Sequence, residues 1–378
     1  MARMLSVVGA RPNFMKLAPL ARALAARPAV EHVIVHTGQH YDPEMSERFF
    51  HDLGIRAPDE NLEVGSGSHA QQTALIMQRF ESVCVARRPD VVLVYGDVNS
   101  TVAAALVAAK LGTKVGHVEA GLRSRDWSMP EEINRVVTDR LSDYLFAPSR
   151  DAVENLRAEG TQPERVHLVG NIMIDSLVRS LPEAERLGAP AAHGVTPRGY
   201  TLVTLHRPAN VDDPATLAEL LAALALLARD EPVLFPVHPR TRARIEGSRS
   251  GALTPSSSPP GPLSLSGEGD VRLLPPLPYL DMLGLVRDAA LVVTDSGGLQ
   301  EETTYLGVPC VTVRPNTERP VTCTHGTNRL VAPRRGAIVD GARAARAAAG
   351  NHRGPIERWD GQTAERIVAV LVDGVRYD

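Results

Sequence analysis

At 378 residues the chain is longer than one hydrophobic core usually supports, so two domains are expected. Its 43% hydrophobic and 22% charged residues suit a globular enzyme, and a net charge of −3 excludes a protein built to coat nucleic acid or an anionic membrane. No apolar run approaches the ~20 residues that span a bilayer. The N-terminus enters a strand with no signal-peptide layout, and Cys84, Cys310 and Cys323 are too scattered for a disulfide frame or zinc knuckle, which fits a reducing cytoplasm.

The first strand is expected over Arg3–Val8, and Gly9-Ala10-Arg11-Pro12 then opens a helix reaching about Ala26. Strand straight into helix begins an α/β fold, with ligand expected at the carboxyl edge of the strands. Gly-Ala-Arg-Pro is not the GxGxxG of a dinucleotide site; Arg11 and Lys16 instead put positive charge there. Only three of the 41 basic residues are lysine (Lys16, Lys110 and Lys114), so a lysine at this edge stands out. His32–His36 reads as a second strand, and His36 and His40, split by a glycine, as loop residues rather than metal ligands. A long helix over Ala70–Arg88 leads to Val91–Tyr95, apolar on both faces as in a parallel sheet. It delivers Gly96-Asp97, then an Ala-rich helix to Leu111. Strand Lys114–Val118 delivers Glu119, and Ser128-Met129-Pro130-Glu131-Glu132 starts another helix in which Glu131 and Arg135 are spaced for an i,i+4 pair. Asp97, Glu119 and Glu131 thus follow successive strands at one edge. Like charges so placed raise each other's pKa toward working pH, the condition that acid/base chemistry needs. Strands Tyr144–Ala147 and Val166–Val169 complete this half.

A helix over Ile172–Leu187 and a Gly/Ala/Pro-rich stretch, Gly188–Gly199, mark the boundary. Strand Thr201–Leu205 ends in His206-Arg207, helix Pro214–Ala228 follows, and strand Val233–Val237 ends in His238. Ser248–Asp270 is rich in Ser, Pro and Gly and is expected to be a mobile insertion. Further strands are expected at Val271–Leu274, Leu291–Thr294 and Cys310–Val313. Between the last two lies Asp295-Ser296-Gly297-Gly298, then a helix from Leu299 with Glu301 and Glu302 in its first turn. Strand, Ser-Gly-Gly and helix together aim free N–H groups and a helix dipole at a phosphate, while a glutamate here suits neutral hydroxyls. Arg319 follows in a loop, available for phosphate, and the tail Thr363–Val372 is an amphipathic helix.

Seven stretches in order resemble the non-hydrolysing UDP-N-acetylglucosamine 2-epimerases. In the first half they are Gly9-Ala10-Arg11-Pro12 with Lys16, Gly96-Asp97, His117 to Arg123 and Pro130 to Arg135. In the second they are His206-Arg207, Asp295 to Glu302 and Thr317 to Pro320. The resemblance implies a GT-B architecture, two Rossmann-like domains with parallel sheets facing across a deep cleft. The domains would be 1–170, joined by a C-terminal helix at 361–378, and 171–360, carrying the insertion at 248–270. It implies a cytoplasmic homodimer with no nicotinamide and no essential metal. The activity implied is inversion of C2 of UDP-GlcNAc through a 2-acetamidoglucal, giving UDP-ManNAc for surface polysaccharide. By the same resemblance Asp97, Glu119 and Glu131 are the acid/base group and His206 assists. Arg11, Lys16, Ser296, Gly297 and Arg319 would hold the UDP phosphates, Gly298 would keep that loop close, and Glu302 would bind ribose.

There are departures. Leu277 and Met282 stand where many relatives place Gln and Phe near the uracil. Gln39, Gln72, Arg207 and His238 match the places where UDP-GlcNAc binds some bacterial relatives as an activator, but Gln71 stands where those relatives carry Arg. Other readings of the sequence are a GT-B glycosyltransferase, a hydrolysing epimerase, an epimerase for another UDP-HexNAc such as a diacetamido uronic acid, and a non-catalytic sensor.

Overall fold

The computed structural model describes residues 2–39, 53–249, 263–264, 270–350 and 354–377. The chain divides into two compact units, Met1–Val178 with Glu357–Asp378, and Arg179–Ile356. The division falls inside the helix Ile172–Leu187, beyond the Gly170 expected to close the first domain.

The first unit holds a parallel sheet of β1 (Ala2–Val8), β2 (Val30–His36), β3 (Glu60–Asn61), β4 (Val91–Tyr95), β5 (Lys114–Val118), β6 (Tyr144–Ala147) and β7 (Val166–Leu168). Its order is β3-β2-β1-β4-β5-β6-β7, so the chain reverses direction across the sheet between β1 and β4, where open α/β sheets place ligands. All of β4 is buried, which explains its unbroken apolar run. The register sets Val7, Val94 and His117 abreast, so Gly9, Gly96 and Glu119 leave the sheet at one level. The alanines of the helix Asn99–Lys110 (Ala103, Ala104, Ala105 and Ala108) are fully buried and let it lie close to the sheet. The helix Thr363–Asp373 packs against Arg11–Ala25, its first N–H groups satisfied by the Asp175 carboxylate.

The second unit repeats the wiring with β8 (Thr201–Thr204), β9 (Val233–Pro236), β10 (Leu263–Ser264), β11 (Val271–Leu274), β12 (Leu291–Thr294), β13 (Cys310–Val313) and β14 (Asn328–Val331). The order is β10-β11-β9-β8-β12-β13-β14; all neighbours are parallel except β10, which pairs antiparallel with β11. Thr204 and Thr294 lie abreast, so His206 and Ser296 leave at one level beside the β8/β12 reversal. Most of the insertion expected to be mobile lies outside the described residues. Within its bounds are Ser248 and Arg249, closing the helix Pro239–Arg249, and the strand β10.

Candidate active site

At the first unit's edge, Asn13 ties the ends of β1 and β4 together. Its Oδ1 accepts from Gly9 N (3.2 Å) and Ala10 N (3.1 Å), and its Nδ2 donates to Tyr95 O (2.9 Å). One turn further along the same helix, Lys16 is buried and ion-paired with the buried carboxylate of Glu119. A Cβ on Gly96 would lie 2.7 Å from Lys16 Nζ and 3.2 Å from Glu119 Oε2, and φ there is +62°, so a side chain here would be strained and would displace the ion pair. Glu119 itself has φ +75°, a strained setting for a residue with a side chain and a mark of a site the fold constrains.

Asp97 pairs with Arg135 at 2.5 Å, and its carbonyl accepts from Asn134 Nδ2 at 2.9 Å. Arg135 also binds Glu132, which accepts in addition from Ser124 N, Ser124 Oγ and Arg125 N (2.8–3.0 Å). The expected pairing of Glu131 with Arg135 is therefore replaced by an i,i+3 pairing with Glu132, and Glu131 stands exposed at the helix start. The carboxylates are also not the bare, mutually repelling group that their spacing suggested. Lys16 and Arg135 are interleaved with them, because a buried carboxylate without a counter-ion is too costly.

Behind this edge, fully buried His117 bridges Asp139 Oδ1 (Nδ1, 2.6 Å) and the Gly96 carbonyl (Nε2, 2.8 Å), pinning the turn that carries Asp97. Burial alone would raise the Asp139 pKa, but His117 and Arg123 hold it below the usual carboxylate range. His117, Asp139 and Glu132 support the site without having been singled out. His117 lies on β5 two residues before Glu119, which follows the strand's end, and its role is legible only once the neighbouring elements are known. His36 ends β2, buried and stacked on Phe14, rather than lying in a loop; His40 lies outside the described residues. The side chain of Arg11 also lies outside them.

At the second unit's edge, fully buried Asp295 straps the loop after β8 to β12. It accepts from His206 N (3.0 Å), Arg207 N (2.9 Å) and Asn210 Nδ2 (3.0 Å), and its Oδ1 faces His206 Nδ1 at 2.9 Å. Burial would raise its pKa, but the hydrogen bond and charge of His206 and the backbone donors keep it depressed. The His206 side chain is 57% exposed, so its ring is oriented through Nδ1 while the remainder faces outward. Asp295 is a further positioning residue that motif reading quoted but gave no role.

The helix after β12 runs Gly297–Leu306 with Ser296 as its N-cap; the Ser296 hydroxyl takes no part in capping. The helix thus begins two residues earlier than expected, so Glu301 and Glu302 lie beyond its first turn rather than in it, and both are buried. The two glycines differ in purpose. A Cβ on Gly297 would come within 2.6 Å of Arg319 Nη1, whereas Gly298 has nothing nearer than Ser296 Oγ at 4.0 Å and leaves an open approach. Arg319 is not a bare cation: it pairs with Glu301 (2.7 Å) and Glu318, and Glu318 also pairs with Arg314 (2.8 Å). Leu277 and Met282 are half-buried and pack on the cluster containing Leu285, Val292 and Leu299.

The four remaining positions fall into two sets. In the first unit Gln39 Oε1 accepts from Ser100 N (3.0 Å) and Ser100 Oγ (2.7 Å), and Gln72 Nε2 donates to Gln39 O (3.3 Å). In the second, Arg207 Nε donates to Asp295 O (3.1 Å), and His238 is exposed beyond β9.

Burial first, and then the charge of Glu301, push the Glu302 pKa from its ordinary 4.5 up to about 8. The sign follows directly. Between pH 4.5 and 8 the folded chain keeps a proton that the unfolded chain has lost, so stability falls as pH rises through that window. Replacing Glu302 by Gln should therefore raise Tm relative to wild type by an amount that grows from pH 5 to pH 8 and then levels. A Tm difference independent of pH in thermal scans would contradict this.

Two seven-stranded Rossmann-like units of the GT-B class, one edge carrying salt-bridged carboxylates and the other a Ser-Gly-Gly helix start, define the class as an α/β protein with two sheet edges of the kind where open α/β folds place ligands. A family model described as UDP-N-acetylglucosamine 2-epimerase matches residues 22–372, and the chain belongs to that isomerase family. It is 40% identical over 329 residues to a UDP-N-acetylglucosamine 2-epimerase of Methanococcus maripaludis, covering 86% of each chain. It is 41% identical over 344 residues to the UDP-2,3-diacetamido-2,3-dideoxy-D-glucuronate 2-epimerase of Pseudomonas aeruginosa, covering 90% of this chain and 91% of that one. Among solved structures it is similar to the Methanocaldococcus jannaschii UDP-GlcNAc 2-epimerase in complex with UDP-GlcNAc and UDP (TM-score 0.85, 38% identity, 98% of this chain and 100% of that one).

Proposed function

We propose that the chain interconverts UDP-N-acetylglucosamine and UDP-N-acetylmannosamine by inverting C2. The observation that carries this reading is the pair of ion-held carboxylates, Glu119 with Lys16 and Asp97 with Arg135, flanking Gly96 at one sheet edge. A weakly acidic C2–H needs a closely fixed base, and a departing diphosphate needs cations and N–H donors. Removal of the C2 proton and breakage of the C1–O bond give UDP and a 2-acetamidoglucal with a C1–C2 double bond. Return of a proton to the opposite face of C2 and of UDP to C1 completes the cycle.

Asp97, Glu119 and Glu131 form the acid/base group, and His206, its Nδ1 held by Asp295, assists at the diphosphate through Nε2. Arg11, Lys16, Ser296, Gly297 and Arg319 hold the phosphates. Lys16 shares its charge with Glu119, and Arg319, already paired with two glutamates, contributes position more than net charge. Gly298 leaves the approach open, Glu302 takes ribose hydroxyls, and Leu277 and Met282 wall the uracil. Gln39 and Gln72 on the first unit, and Arg207 and His238 on the second, are the candidates for contacts to the same nucleotide sugar as an activator, with Gln71 standing where activated relatives carry Arg. The setting belonging to this reading is a cytoplasmic homodimer that supplies ManNAc units for surface polysaccharide.

A second reading, epimerisation of a diacetamido uronic acid sugar on UDP, is favoured by the similarity to the Pseudomonas aeruginosa enzyme. Proton NMR of UDP-GlcNAc with the protein in deuterated water separates them. Deuterium entering C2 together with UDP-ManNAc signals, and no accumulation of free UDP, is expected. No exchange into UDP-GlcNAc, with exchange into the diacetamido uronate, would transfer the assignment to the second substrate.

A further inference from the structure

We propose that the Tyr279 hydroxyl makes a second hydrogen-bonding contact, beside Glu302, to the ribose of the bound nucleotide. This deepens the reading of the 296–298 loop as a nucleotide anchor and rests on it. Tyr279 is the first residue of the helix Tyr279–Asp288, which packs against Gly297–Leu306, the helix that carries Glu302. Its hydroxyl is buried and has no hydrogen-bond partner among the described residues. Buried hydroxyls are nearly always satisfied, so one that is not calls for a group supplied from outside. Burial, and then the charge of the Glu302 carboxylate, raise the Tyr279 pKa well above its ordinary value, which places phenol and carboxyl in each other's field.

The chemistry of the two groups selects the ligand. A phenol and a carboxyl that keeps its proton to about pH 8 each both donate and accept, which matches adjacent neutral hydroxyls. A phosphate is disfavoured by the Glu301 carboxylate, buried on the same helix. Leu277 and Met282, flanking Tyr279 in sequence, pack on the apolar cluster of this unit.

The test is calorimetric titration of the full chain with UDP, 2′-deoxy-UDP and 3′-deoxy-UDP, comparing wild type, Tyr279→Phe and Glu302→Ala. Tyr279→Phe keeps the ring and should weaken UDP about five- to tenfold, the loss of one neutral hydrogen bond. The analogue lacking the contacted hydroxyl should bind wild type and Tyr279→Phe equally. Unchanged affinity of Tyr279→Phe for all three ligands, or an equal loss on all three, overturns the proposal. Glu302→Ala distinguishes the two levels of failure. If wild type prefers UDP over a deoxy analogue and Glu302→Ala loses that preference while Tyr279→Phe keeps it, only the Tyr279 contact is wrong. If wild type shows no preference and Glu302→Ala none either, the nucleotide anchor is wrong with it.

Discussion

Replacing Asp97 by Asn is expected to slow C2 exchange and epimerisation by about 10²- to 10⁴-fold, the range of a lost general acid or base. The side chain keeps its shape, and Arg135, deprived of one carboxylate, still holds Glu132, so the fold should survive. The proposed nucleotide anchor belongs to the other compact unit, so UDP affinity should stay within about twofold, well under the 1.4 kcal/mol that makes a tenfold change. Activity therefore falls in kcat, with little change in nucleotide binding. The measurements are the rate of deuterium incorporation at C2 and a UDP titration on the same preparation. Retention of a tenth or more of the wild-type exchange rate would remove Asp97 from the acid/base group.

Asp295→Ala should be the most damaging change for the second unit. The carboxylate is fully buried and collects donors from two backbone amides, one amide side chain and one imidazole. Each buried donor left unmet costs about 1–3 kcal/mol. Even with water meeting some of them, a loss of about 3–5 kcal/mol is expected, as when one partner of a buried charge pair is removed. The His206 ring would lose its orientation as well, so activity should drop even below the melting transition. Asp295→Asn keeps two acceptor lone pairs and should fall between wild type and Ala. Urea unfolding followed by a probe in residues 179–356 measures this directly. A destabilisation under 1 kcal/mol would mean that the strap is ornamental.

What the sequence made legible follows from burial. β4, β5, β11, β12 and β13 lie at the residues read for them; β4 and β12 are apolar runs closed by a turn signal, and the others are short, largely buried and rich in valine or leucine. β3 and β14 went unread because they are edge strands; Glu60 and Asn61 are polar, and Arg329 and Leu330 are exposed. The helix Tyr279–Asp288 is hard to read because its buried residues, Leu283 to Val286, are consecutive and not spaced by turns, whereas Arg335–Ala347 carries a weak helical signal in Ile338, Ala342 and Ala345. The start of the helix at Gly297 was misplaced since paired glycines carry no helix propensity of their own. Tertiary pairing was the least visible layer. That Arg135 would turn to Glu132 and Asp97 instead of Glu131 depends on which face of the helix meets β5 and the helix Asn99–Lys110, and spacing within one helix leaves that open.

Both units share the strand order in which the chain reverses beside the first strand, and each unit's named residues gather at its own reversal. The two crevices are separate stretches of chain with separate cores. On the roles proposed above, drift in residues 179–356 would retune the Ser296–Gly298 and Glu302 contacts without disturbing Lys16, Asp97 or Glu119, and drift in the first unit would admit a different sugar without rebuilding those contacts. Divergence of substrate within such a scaffold needs changes on one side at a time, which makes a new specificity reachable through working intermediates.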